Sequence, residues 1–105
     1  MRRVVVTGMG VISPVGNDLE SFWNNLTEGK NGVGMITRFD TTEQKVKVAA
    51  EVKDFEPTKY IEKSQVRKTD LFAQYALAAA VQAMEDAGLK SGENIDAERL
   101  GVYVG

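Results

Sequence analysis

Residues 4–16, VVVTGMGVISPVG, constrain the fold more than any other part of this chain. An uninterrupted β-branched run reads as a strand over 4–7 covered on both faces, which belongs at the centre of an α/β or layered fold. Gly8, Gly10, Pro14 and Gly16 then end the strand in a tight turn, the glycines supplying positive φ or a close backbone approach. Gly8-x-Gly10 after such a strand also invites a nucleotide-binding reading, with a pyrophosphate resting on a helix N-terminus. Residues further along the turn argue against it. Ser13 stands at the third glycine position and Pro14 pushes it toward extended geometry. The next helix start, at Asn17-Asp18, is too far from the strand end for its free N–H groups to cradle a phosphate there.

The chemistry open to the chain is narrow. It has no cysteine and no histidine, which removes disulfides, thiolate nucleophiles, thiolate or imidazole metal sites and every Ser-His or Cys-His pair. Ser13 therefore reads as a turn residue. The acidic residues are scattered without the pattern of a calcium loop, so no catalytic, cofactor-binding or metal-ligating residue is assigned. With 105 residues, 43% of them hydrophobic, the chain has at most one domain. A net charge of −2 argues against general nucleic-acid binding. No apolar run approaches the roughly 20 residues of a membrane span, and cytoplasmic location is the default expectation.

The remaining elements follow from periodicity. Leu19, Phe22, Trp23 and Leu26 share one helical face behind an Asn17-x-x-Glu20 capping pattern, and Gly29 ends that helix. Residues 30–34 read as a loop. Residues 45–52 alternate, with Val46, Val48, Ala50 and Val52 facing a core and Lys45, Lys47 and Glu51 facing solvent, as in an edge strand. Pro57 suits the first position of a short helix. The longest helix is capped by Thr69 or Asp70, carries an alanine-rich stripe fit for close packing, and stops at Gly88 with Leu89 placed for a Schellman ending. Its Phe72 and Tyr75, like Trp23, read as core aromatics rather than pocket residues. Residues 100–105 form a second apolar strand of core type, and a chain ending there reads as the N-terminal piece of something larger.

Charge is concentrated in one place. Lys59, Lys63, Arg67 and Lys68 stand against the single acid Glu62, so residues 59–68 carry +3 while the others sum to −5. Lys63 and Arg67 are spaced to share a helical face, with Lys68 alongside. On its residues alone this is a solvated face or a small module for an acidic partner.

Taken together, VVVTGMGVISPVGN (4–17), Phe22-Trp23, RKTDLFAQY (67–75) and RLGVYVG (99–105) resemble the start of a β-ketoacyl-[acyl-carrier-protein] synthase of the elongating type II form. The resemblance runs in order through essentially the whole chain. It implies a five-layered αβαβα thiolase-like fold of two similar halves, with residues 1–105 forming the N-terminal portion of the first half. It also implies acyl transfer to a cysteine thiolate and decarboxylative condensation with malonyl on acyl carrier protein, assisted by two histidines. None of those three residues is present, and the sequence ends just before the family's Gly-Ser-rich turn, so this segment alone is expected to be inactive. The resemblance further implies a homodimer and assigns Lys63, Arg67 and Lys68 to docking of the acidic carrier protein and its phosphopantetheine phosphate.

Overall fold

The computed structural model describes all residues, 1–105. The chain divides into two compact units, one formed by residues 12–55 and the other by residues 1–11 with 56–105.

In the unit of residues 12–55, the turn expected after the first apolar run is built around Ser13. Its N–H donates to Gly16 O at 2.9 Å, and its hydroxyl donates to the same oxygen at 3.0 Å. Helix α1 follows at Leu19–Thr27. Its cap is Asp18 rather than Asn17: Asp18 Oδ1 accepts from Ser21 N at 2.8 Å, which satisfies one of the free donors of the first turn. Gly16 has no positive φ, and its role is proximity, because a Cβ there would lie 2.5 Å from Phe22 N. The helix ends at Glu28, and Gly29 turns the chain with φ +73°.

The segment expected as a loop contributes a short strand, β1 (Val33–Met35), which pairs antiparallel with β2 (Val48–Ala50) in the register Val33 to Ala50 and Met35 to Val48. The alternation over 45–52 thus gives a strand of only three residues, and the expected facing holds in part: Lys45 and Lys47 are exposed and Val52 is half-buried, but the other positions depart from it. Val46, Val48 and Ala50 are exposed, whereas Ala49 and Glu51 are half-buried. Glu51 turns inward because hydrogen-bond donors surround it, as described below.

The unit that contains residues 56–105 is organised by α3 (Leu71–Ala87). Its two most buried residues are Ala78, at 0% exposure, and Gln74, at 6%. The helix ends as its sequence implies. Gly88 is left-handed, with φ +67°, its N–H donates to Glu85 O, and Leu89 N donates to Met84 O at 3.0 Å, the paired bonds of a Schellman ending. Asp70 is the N-cap residue but makes no side-chain cap bond. Ahead of α3 lie a 3-10 turn at Pro57–Lys59, with proline at its first position, and the one-turn helix α2 (Lys63–Val66). A second 3-10 turn spans Ala97–Arg99.

Two expectations fail in this unit. Residues 4–7 and 100–105 form no regular strand, and Val4 and Tyr103 are each 95% exposed. An apolar β-branched run becomes a strand only when a neighbour accepts and donates its ladder hydrogen bonds. Neither run has such a neighbour here. Phe72, at 75% exposure, and Trp23 in the other unit are likewise exposed rather than core residues, while Tyr75 is half-buried. No helix is long and apolar enough to cross a membrane.

Candidate functional site

The glycines of the opening stretch serve α3. A Cβ on Gly8 would lie 2.4 Å from Ala83 O, and one on Gly10 would lie 2.2 Å from Ala79 O, so backbone meets helix along the alanine stripe. Two side chains of α3 fix that contact: Met9 N donates to Asp86 Oδ2 at 3.0 Å and Val11 N to Gln82 Oε1 at 3.1 Å. The close approach that would have admitted a pyrophosphate is taken by a helix flank, and the N–H groups of residues 9 and 11 are already bonded. The nucleotide reading has no site here.

The basic segment is placed on and directly after a one-turn helix, α2. Helix α2 begins after Glu62, whose φ of −60° and ψ of 139° make it an extended N-cap residue, and the turn is closed by Gln65 N and Val66 N donating to Glu62 O. Arg67 is its C-cap, Lys68 N donates to Gln65 O at 3.0 Å, and the Thr69 hydroxyl donates to the same carbonyl. Lys63, Arg67 and Lys68 are all exposed, and none of them forms an ion pair within the chain. Lys59 differs, since its ammonium lies 3.7 Å from Glu56. Three uncompensated cations within six residues produce a positive local potential on a chain whose net charge is negative.

Two glutamines of α3 that periodicity alone does not single out bond to residues beside this segment. Gln74 Nε2 donates to Val66 O at 3.1 Å and Thr69 O at 2.9 Å. Gln82 Nε2 donates to the Tyr60 hydroxyl at 3.1 Å. The sequence signal was there: a polar residue within an alanine-rich apolar stripe, at the four-residue spacing of Gln74, Ala78 and Gln82, marks a buried donor rather than a solvated one.

The other unit holds a second polar cluster. Glu51, whose side chain is 14% exposed, accepts from Thr37 N at 3.2 Å and from Thr37 Oγ1 at 3.0 Å, and lies 3.8 Å from Arg38 Nε. Lys53 Nζ donates to Pro14 O, Gly32 O and Glu51 O at 3.3, 3.1 and 3.1 Å, an ammonium using its donors on three backbone carbonyls. Asn17 Nδ2 donates to Lys53 O and Asn25 Nδ2 to Val15 O. Thr37, Arg38, Glu51 and Lys53 line, with Met35 and Val52 among others, a cavity of about 370 Å³. Because its charged side chains are engaged with each other or with backbone, the cluster reads as a structural network.

The model of the beta-ketoacyl synthase N-terminal domain matches residues 1–105. The chain is 51% identical over 104 residues to 3-oxoacyl-[acyl-carrier-protein] synthase 2 of Vibrio harveyi, a match covering 99% of this chain and 25% of that protein. Proteins of the same name from Staphylococcus aureus (strain COL) and Synechocystis sp. (strain ATCC 27184 / PCC 6803 / Kazusa) are 46% and 43% identical over the same share. The chain therefore spans about a quarter of the length of the curated relatives it matches. Among solved structures it resembles the ishigamide ketosynthase/chain length factor, with TM-score 0.78 and 45% identity, over 85% of this chain and 22% of that one. The likeness bears out the expected fold class, an α/β chain forming the N-terminal part of a thiolase-like fold. A family match over every residue, together with identities of this size, means that the chain belongs to the β-ketoacyl synthase family, in its N-terminal domain.

Proposed function

We propose that this chain is the N-terminal segment of a 3-oxoacyl-[acyl-carrier-protein] synthase that elongates acyl chains in bacterial fatty acid synthesis, as a cytoplasmic homodimer. The observation that carries the reading is identity of 43–51% along the whole chain to proteins named 3-oxoacyl-[acyl-carrier-protein] synthase 2. In this reaction a cysteine thiolate takes the acyl group from its carrier. Malonyl on a second carrier then loses CO2, and the resulting carbanion attacks the acyl thioester carbon and expels the thiolate. Thiolate and histidine chemistry has no substitute among these residues, which include no Cys and no His, so the segment by itself is inactive. Residues 1–105 form the first portion of the first thiolase-like half.

The contribution of the segment is recognition. Lys63, Arg67 and Lys68 receive the acidic acyl carrier protein and the phosphate of its prosthetic arm; what supports this is their shared exposure and their lack of ion-pair partners within the chain. Contacts of this kind act on encounter rate and register, and weaken as salt shortens the Debye length from about 10 Å at 0.1 M to about 3 Å at 1 M. The test of the activity uses the full-length enzyme with acyl- and malonyl-loaded carrier. One CO2 should be released per 3-oxoacyl-carrier formed, and failure to release CO2 with both substrates present would overturn the assignment.

A further inference from the structure

We propose that Gln74 and Gln82 of α3 are positioning residues that hold the basic segment at its two ends and so set where Lys63, Arg67 and Lys68 stand; this deepens the docking reading above and rests on it. The two glutamines are eight residues apart, about 12 Å along the helix axis, with the fully buried Ala78 between them on the same flank. Gln82 takes the near end through the Tyr60 hydroxyl, and Gln74 takes the far end through the carbonyls of Val66 and Thr69. Between these anchors lie Lys63, Arg67 and Lys68.

The chemistry of Gln74 suits this task. Two carbonyl oxygens converge on one side-chain amide nitrogen, whose NH2 group has the two N–H bonds needed to donate to both without bringing a charge. At 6% exposure the bonds are shielded from competing water. One-turn helices have little stability of their own, because nucleation fixes several residues for one hydrogen bond. A four-residue helix with Lys63 at its start and Arg67 and Lys68 directly after its end therefore takes its order from outside itself. Val66 O and Thr69 O lie immediately before Arg67 and immediately after Lys68, so the tie at Gln74 brackets two of the three cations.

The test uses the full-length synthase and the variants Gln74→Met and Gln82→Met, which keep side-chain length and remove the donors. Gln74→Met should raise KM for acyl carrier protein about fivefold, as expected for one buried hydrogen-bonded anchor, with kcat at saturating carrier within twofold of the parent. It should also speed amide hydrogen exchange over residues 65–69. On a background of Arg67→Glu with Lys68→Glu, Gln74→Met should add no further rise, because the groups it positions are gone. Gln82→Met tests the near end and should raise KM in the same way. A KM raised by the charge reversals but unmoved by both glutamine variants would overturn the clamp and leave docking intact. Additive effects of Gln74→Met and the reversals would likewise overturn it. A KM unmoved by the charge reversals themselves would sink the docking reading and, with it, the positioning role.

Discussion

Gly10→Ala is the sharpest single perturbation of this fold. The added Cβ would stand 2.2 Å from Ala79 O, 2.6 Å from Gln82 Cβ and 2.8 Å from Ala83 N, whereas carbon contacts settle near 3.5–4.0 Å. Two of those neighbours are backbone atoms in the middle of α3 and cannot turn aside, so residues 8–11 must lift by about 1 Å or more. Overpacking of this kind costs about 1–3 kcal/mol. The lift also strains the bonds from Met9 N to Asp86 and from Val11 N to Gln82, each worth about 0.5–1.5 kcal/mol. Against this, alanine narrows the unfolded ensemble by about 0.4–1 kcal/mol. The net expectation is a loss of about 2–4 kcal/mol. Gly34→Ala is the control, because nothing lies within 4 Å of its would-be Cβ and its φ is not positive, so it should change stability by less than about 0.5 kcal/mol. Thermal unfolding of the full-length enzyme should separate the two variants, and the amides of Met9 and Val11 should lose exchange protection in Gly10→Ala alone. Equal midpoints with unchanged protection would refute the close-approach account.

Two further outcomes follow from the unit of residues 12–55. Lys53→Met leaves three carbonyls without their shared ammonium and should lower stability by about 1–3 kcal/mol, with limited proteolysis opening first between 30 and 55, while Lys47→Met at an exposed site should leave the cleavage pattern unchanged. Asp40 accepts from the Thr42 hydroxyl and the Thr42 amide, which hold its carboxyl below the ordinary value of 3.8. A lowered folded-state value means that this stabilisation is present above the unfolded value and is lost as pH falls through the folded one. Thr42→Val removes the larger contribution, so an NMR titration should find the Asp40 midpoint moved upward, and an unmoved midpoint would contradict the cause assigned to it.

What the sequence made legible was whatever depends on near neighbours. The Schellman ending at Gly88, proline opening the 3-10 turn at 57, and the Ser13 turn are each decided within a few residues, and they appear as expected. Asp18 displaces Asn17 as cap of α1 by a single position, the usual scale of error for a local signal. The apolar runs at 4–7 and 100–105 have the composition of strands, but pairing is non-local, and in this chain they remain unladdered. The inward turn of Glu51 was hidden for the same reason: its donors, Thr37 and Arg38, come from another part of the chain and reverse the facing that alternation implies. At the basic surface, Lys63, Arg67 and Lys68 stood out through charge alone. Gln74 and Gln82 were legible only as polar interruptions of the alanine-rich stripe, and the carbonyl that Gln74 bonds, eight residues earlier and outside the helix, was not.

The most direct measurement of the central claim, that this segment recognises the carrier rather than performing the chemistry, is the KM of the full-length enzyme for acyl carrier protein after Lys63→Glu, Arg67→Glu and Lys68→Glu are combined. Surface charges reversed together on a docking face should raise KM by roughly tenfold or more at low salt, with the difference from the parent shrinking toward 1 M salt and kcat little changed. A KM equal to that of the parent at every ionic strength, or a loss confined to kcat, would contradict it.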